Sequence, residues 1–259
     1  MDKATVIGMG GGVGAILVGN ALEGGHISSL VQPTAAMIVI GGTVGATMIG
    51  FPLKVFVKAC KAMKGVFLGN KAGDPNALID EITGYALKAR KDGIVSLEEV
   101  LSQVSHSFLQ KALMMAVDGS DSKAMRENLE GILDRMEEDG EKPAKVWEAA
   151  GGYAPTIGII GAVMGLIHVM QNLSDVSAVG AGISVAFVAT IYGVGFANLL
   201  FLPAAGKLKL MHKDHMARLS LMMEGALAIQ QGQNPNLIKE KLSALAGDES
   251  EKPDAKGKK

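Results

Sequence analysis

The sequence predicts an all-α, polytopic membrane protein with four transmembrane helices and a helical cytoplasmic domain. Three observations carry this: four long stretches without a charged residue, cations confined to what must be one side, and small residues spaced one helical turn apart. The charge-free stretches are 4–22, 24–53, 149–174 and 176–206. A helix rises 1.5 Å per residue, so about 20 apolar residues cross a hydrocarbon core of about 30 Å. Each stretch is long enough. Composition agrees: 20% of the 259 residues are charged, 4% are aromatic, and 34 are glycine, with mean hydropathy +0.28. The formal charge of −1 gives no reason to expect nucleic acid as a partner. A single cysteine, Cys60, forms no intrachain disulfide. No cleavable leader is expected, because Glu23, not a small-residue cleavage site, follows the first apolar stretch.

Direction follows from the cations. Of 25 Lys and Arg, 14 lie in 54–150, 10 in 207–259 and one at Lys3. The expected hairpins 23–32 and 171–180 have none. The positive-inside rule therefore places both termini and the central segment in the cytoplasm and both hairpins outside. Gly8/Gly12, Gly10/Gly14, Gly41/Gly45 and Gly161/Gly165 each stand four apart, on one helix face, where they permit close backbone approach. The expected organisation is 1–53 for spans one and two, 54–150 for a cytoplasmic helical domain, and 151–206 for spans three and four. Cytoplasmic C-terminal helices at 207–246 and a disordered tail at 247–259 complete it.

Within the cytoplasmic parts, span two is expected to continue as a helix bearing Lys54, Lys58, Lys61 and Lys64 as a basic stripe at the headgroup level. Asp74-Pro75 reads as N-cap and N1 of a helix to about Lys91, stopped by Gly93. Ser96 with Glu99 three residues on reads as a capping box opening a helix to about Val117. A further helix is expected from Asp121 or Ser122 to Asp139, stopped by Gly140, with a short one from Pro143 to Trp147. Residues 207–231 extend span four, and Asn234-Pro235 caps a last helix of about a dozen residues.

The run Thr5 to Ala15 contains Gly10, Gly12 and Ala15 at dinucleotide-fingerprint spacing. The acidic residue such a site needs about 20 positions later is missing, since no Asp or Glu lies between Glu23 and Asp74. More telling is what the spans omit. An ion path usually needs a titratable group at depth, yet no Asp, Glu, Lys or Arg lies within any span. Spans three and four offer Tyr153, Thr156, His168, Thr190, Tyr192 and Asn198, with Pro155 and Pro203 near the cytoplasmic side. Each proline frees a backbone carbonyl and marks a kink or hinge. If the chain conducts ions, another polypeptide must bring the carboxylate.

Several segments resemble the MotA/PomA family of flagellar stator A subunits. The run Tyr153-Ala-Pro-Thr-Ile-Gly-Ile-Ile-Gly-Ala-Val-Met-Gly-Leu-Ile-His168 is similar to the third span of that family. Thr190-Ile-Tyr-Gly with Ala197-Asn-Leu-Leu-Phe-Leu-Pro203 is similar to the fourth. Arg90-Lys-Asp-Gly-Ile-Val-Ser-Leu-Glu98 resembles the rotor-facing segment, and Asn234-Pro-Asn-Leu-Ile a C-terminal motif. The resemblance implies a homopentamer around a MotB/PomB-like B-subunit dimer whose aspartate binds the ion, in the bacterial inner membrane. It implies that Pro155 and Pro203 couple ion binding to movement and that Thr190 lines the ion path, with Thr156, Ala162 and Tyr192 as further path residues. Arg90 and Glu98, with Lys91 beside them, would engage the rotor protein FliG. Ala162 stands where sodium-driven relatives tend to carry threonine, so the expected ion is H+ rather than Na+. No cofactor or metal and no enzymatic activity is expected: no nucleophile–base set or phosphate loop emerges, and His212 and His215 at i, i+3 suit interfacial solvation better than a metal. The alternative is an energiser of the TolQ/ExbB kind driving another machine. A solute transporter would more often show a buried charge or an internal repeat of spans, and neither is present.

Overall fold

In the computed structural model, which describes residues 2–69 and 73–247, every regular element among the described residues is helical. Among the described residues four helices are long and apolar enough to cross a membrane, as expected for a polytopic all-α protein. The chain divides into two units, Met1–Asn70 with Glu141–Met211, and Lys71–Gly140 with His212–Lys259.

In the first unit, α1 (Lys3–Leu22) buries none of its side chains. Much of its apolar surface is open, although Gly12 approaches Leu199. A one-turn 3₁₀ segment, Ile27–Leu30, leads to α2 (Pro33–Gly50), with Pro33 at the first helical position where its missing N–H is harmless. The helix α2 does not run on, contrary to expectation. Phe51 and Pro52 are extended, and α3 (Leu53–Leu68) starts afresh. Pro52 has no N–H for the helical ladder and biases the residue before it towards extended backbone, so the sequence itself contained the break.

The second unit begins with α4 (Pro75–Asp92), capped by the Asp74 carboxylate, which accepts the Asn76 N–H at 3.0 Å. Gly93, at φ 87°, ends it as expected. The capping box at Ser96 does not form. The Ser96 hydroxyl donates to the Gly93 carbonyl at 2.6 Å, and Glu99 pairs with Lys88 at 3.0 Å instead of reaching back. The segment Ile94–Gln103 is 3₁₀, and α5 (Ser107–Val117) has its own cap, the His106 Nδ1 accepting the Phe108 N–H at 3.1 Å.

The largest correction concerns α6, a single helix from Ser122 to Gln171 in place of two short helices and a separate span. A terminating glycine uses positive φ, and Gly140 is absent from the positive-φ glycines. It answers a different demand. A Cβ there would stand 2.0 Å from the His212 imidazole, whose Nε2 lies 3.1 Å from the Glu137 carbonyl oxygen. The connection after α6 is also shorter than the expected ten residues, because the Asp175 carboxylate accepts the Ser177 and Ala178 N–H groups and starts α7 (Val176–Phe196).

A π-helical turn, Ala197–Phe201, joins α7 to α8 (Leu202–Gln230), so span four does extend as helix. Asn234 caps α9 (Pro235–Ala246), accepting the Asn236 N–H at 3.0 Å. Of the tail expected to be disordered, 248–259 lies outside the described residues. The second unit has a conventional core in which Ile79, Ile82, Leu109, Leu113, Leu227 and Ile238 are fully buried.

An ion-paired clip holds this core at its edge. Glu224 accepts from Arg126 at 2.8 Å and Lys241 at 2.6 Å. Burial pushes the Glu224 carboxyl up, but the two hydrogen bonds and charges outweigh it and hold the group below the usual carboxylate range. A depressed folded pKa means stability that is present above the unfolded value, near 4.3, and lost as pH falls through the folded value. Glu224→Gln is therefore expected to cost about 1–2 kcal/mol at neutral pH, since the two cations are themselves partly exposed. The loss should shrink towards zero in acid, measured by thermal unfolding across pH.

Candidate functional site

The membrane site is built on a seam of small residues. On α6, Ala154, Gly158, Gly161 and Gly165 recur every three or four residues; on α7, Gly182, Ala186, Ala189 and Gly193 do the same. All eight are buried. A Cβ on Gly193 would stand 2.5 Å from the Ala154 carbonyl oxygen and 3.0 Å from the Gly158 Cα. One on Gly165 would stand 2.8 Å from the Gly182 carbonyl oxygen. The two backbones thus touch, leaving the larger side chains on the outer faces. Ile159, Ile160, Val163, Met164 and Ile167 of α6 and Phe187 of α7 are all at least half exposed on the single chain, an apolar surface that the described residues leave uncovered.

Pro155 sits in this seam, half-buried, its Cα 3.2 Å from where a Gly193 Cβ would be. It removes the N–H that Gly151 would otherwise receive four residues back. Pro203 is exposed and lies just after the π turn. There the Leu202 N–H bonds to Ala197, five residues back, and proline leaves the Leu199 carbonyl without its usual donor. Of these two prolines, one thus sits at a close backbone contact between α6 and α7 and the other just after a π bulge.

The polar residues are spread around these points. Thr190 is half-buried, its hydroxyl turned back to the Ala186 carbonyl at 3.3 Å. The Thr156 hydroxyl, exposed, donates to the Tyr153 carbonyl at 2.8 Å. Ala162 is half-buried beside Gly161, which approaches Ala189 and Ile38. Tyr192 is engaged elsewhere. Its hydroxyl donates to the Leu30 carbonyl at 2.6 Å and accepts the Gln32 N–H at 3.2 Å, fastening the 23–32 connection to α7.

Sequence reasoning passed over two features. Asp2, just before the first apolar stretch, and Lys207, which follows the last, form an ion pair with the Thr5 hydroxyl between them. They stand beside a cavity of about 340 Å³ lined by Thr5, Asn198, Leu199, Pro203 and Lys207 among others. Thr43 and Thr47 of α2 are 1% exposed, and the Thr43 hydroxyl has no partner among the described residues. The threonine spacing was visible, but nothing in it separated these from ordinary span residues.

The second candidate site lies wholly in the other unit. Arg90 and Lys91 occupy the last turn of α4 and Glu98 the following 3₁₀ segment, and all three are exposed. No ion pair of Arg90, Lys91 or Glu98 forms among the described residues. The turn beneath them is braced by the Lys88–Glu99 ion pair, and the far end of the 3₁₀ segment is tied back to α4. Glu81 accepts the Ser105 N–H at 3.0 Å, the Ser105 hydroxyl at 2.6 Å and the Tyr85 hydroxyl at 3.0 Å. Burial and that carboxylate push the Tyr85 phenol up to about 12. His212 and His215 share the α8 face near His106, whose ring centroid lies 6.2 Å from that of His215. Burial and the neighbouring His106, His212 and Arg218 push His215 below its ordinary value.

Residues 6–89 match the motility protein A N-terminal family, and residues 100–221 match the MotA/TolQ/ExbB proton channel family. The motility protein A of Bacillus subtilis is 36% identical over 242 residues, which is 93% of this chain and 90% of that protein. The chain belongs to the motility protein A family. Solved relatives agree with this membership. The C. jejuni MotAB structure superposes with a TM-score of 0.89 at 33% identity, covering 95% of this chain and 96% of its counterpart. The flagellar MotAB stator complex from Bacillus subtilis gives 0.86 at 35%, covering 94% and 96%. The family matches take in parts of both units, including the seam of α6 and α7, while the turn at 90–98 falls between the two matched segments.

Proposed function

We infer that this chain is a stator subunit of the bacterial flagellar motor, joined to a MotB-like B subunit in an ion channel that couples inward ion flow to torque. The observation that carries this is the α6–α7 pair itself. It packs backbone to backbone, carries a proline in the seam and another beyond it, and turns an apolar, acid-free surface outward. Such a pair suits a ring around a partner helix that brings the carboxylate. Five copies around a B-subunit dimer, in the inner membrane with both termini cytoplasmic, is the arrangement proposed. The cation distribution supports that orientation.

In this mechanism the B-subunit aspartate takes up a proton from outside and is neutralised, which lets the apolar seam region of one A subunit move past it. Pro155 and the π turn before Pro203 give the two helices places to bend without losing further hydrogen bonds. One charge crossing 100 mV supplies about 2.3 kcal/mol, enough for one small rearrangement per ion. Arg90, Lys91 and Glu98 pass the step to FliG. Thr190, Thr156 and Ala162 line the path, and the methyl of Ala162, lacking a hydroxyl to replace sodium's hydration, favours H+.

Co-expression with a B subunit in a non-motile host lacking both should restore swimming, while the chain alone should neither restore it nor pass current. Swimming should stop with a protonophore and persist without sodium. Motility that ends on sodium removal yet survives the protonophore would overturn the ion assignment. An energiser of the TolQ/ExbB kind would leave the host non-motile.

A further inference from the structure

We propose that α3 is an interfacial helix that binds anionic phospholipid headgroups of the cytoplasmic leaflet through Lys54, Lys58, Lys61 and Lys64. The proposal rests on the membrane orientation given above and adds a surface and a ligand class to it.

Both ends of α3 are pinned at one membrane face. Its first residue, Leu53, follows the end of α2 after only the extended Phe51 and Pro52. At its far end the Phe67 carbonyl accepts the N–H of Asp2, the N-cap of α1, at 3.0 Å. Gly69, the residue after the helix, stands against the same Asp2 backbone. Because α1 crosses outward and α2 returns, the start of α1 and the end of α2 share a face. Sixteen residues at 1.5 Å each are about 24 Å of helix, and with both ends held at that face α3 runs along it. Had α2 simply continued, Lys64 would stand about 20 Å from the bilayer, beyond the reach of surface potential at physiological salt.

The two sides of α3 differ as an interfacial helix requires. One side packs on protein: Ala59 and Val66 are buried, Ala62, Met63 and Phe67 lie against the small core there, and the Trp147 indole donates to the Ala59 carbonyl at 3.0 Å. The other side carries Leu53, Val57 and Leu68, at 65%, 43% and 64% exposure, alongside the four exposed lysines. Residues 51–69 contain no acid, and no ion pair of Lys54, Lys61 or Lys64 forms among the described residues. Exposed leucine and valine beside Lys54, Lys61 and Lys64 match a surface that is apolar at acyl depth and negative at the phosphates. A soluble acidic partner would satisfy the charge but leave the apolar strip in water.

Cys60, the chain's one cysteine, lies exposed on α3 and serves as the probe. The full-length chain, labelled there with an environment-sensitive fluorophore, is reconstituted into nanodiscs of phosphatidylcholine with or without phosphatidylglycerol. Emission should shift to the blue relative to free label and be quenched by headgroup-level spin-labelled lipid. Native mass spectrometry should show phosphatidylglycerol retained over phosphatidylcholine by at least about fivefold, the figure for a single lysine near an anionic surface. Replacing the four lysines by glutamine should bring that ratio close to one. Water-like emission with no quenching, equal retention of the two lipids, or protection of Cys60 by a second copy regardless of lipid would each overturn the proposal. The fluorophore measurement needs no variant, so it stands even if the glutamine protein misfolds. Swimming restored by the unsubstituted chain reports separately on the stator reading.

Discussion

Gly193→Leu yields a protein that fails to accumulate in the membrane and supports no swimming. The Cβ alone would stand 2.5 Å from a backbone carbonyl oxygen and 3.0 Å from a Cα of the facing helix. Neither atom belongs to a flexible side chain, so α6 and α7 must separate. Separation loses the contacts of the whole seam, because van der Waals packing, rather than a hydrophobic driving force, holds helices together in lipid. Overpacking a tight interior costs about 1–3 kcal/mol where side chains can yield, and here the cost should reach the upper end or exceed it. The control is two residues away. A Cβ on Gly195 meets nothing within 4 Å, and Gly195→Leu should accumulate normally. Immunoblotting of membranes and size-exclusion chromatography in detergent distinguish the two. Equal accumulation of both variants would show that the seam does not hold the pair.

Charge reversal at the braced turn should produce the opposite pattern, a protein that assembles and cannot work. Arg90→Glu or Glu98→Lys removes a side chain that is exposed and makes no ion pair among the described residues. Stability should therefore change by no more than about 0.5 kcal/mol, as for ordinary surface sites. Swimming and tethered-cell torque should fall to near zero if the proposed rotor-facing role holds, because like charge would then oppose the rotor surface. Lys88→Glu would be a poorer test, since Lys88 already pairs with Glu99 at 3.0 Å and its loss loosens the turn itself. Loss of membrane assembly in the Arg90 or Glu98 variants, rather than loss of torque, would count against a rotor-facing role.

The two predictions also mark how legible the molecule was. The Gly161/Gly165 pair was readable as a packing face, but its partner on α7, the row Gly182, Ala186, Ala189 and Gly193, was not paired with it. Spacing identifies a face; it does not say which other face will meet it. The α4 boundaries were legible because Asp74, Pro75 and Gly93 act locally, through a side-chain cap, a missing N–H and a positive φ. The capping box at Ser96 misled because Glu99 had a competing partner, Lys88, eleven residues away in sequence. Gly140 misled in the same way. Its lack of a side chain serves the approach of His212, seventy-two positions on, and no local pattern records that.

The amino-acid sequence by itself determined that this chain crosses a membrane four times, which ends face the cations, and that it brings no acid into its spans. These are sums over many residues, of transfer free energy and of charge, so they survive errors at any single position. Tertiary structure alone decided that α6 runs unbroken past Gly140 and Pro143, that the end of α3 is bonded back to the start of α1, and that Tyr192 fastens the 23–32 connection to α7. These outcomes involve residues far apart in sequence, Gly140 with His212, Asp2 with Phe67 and Tyr192 with Leu30, whose approach no local motif records.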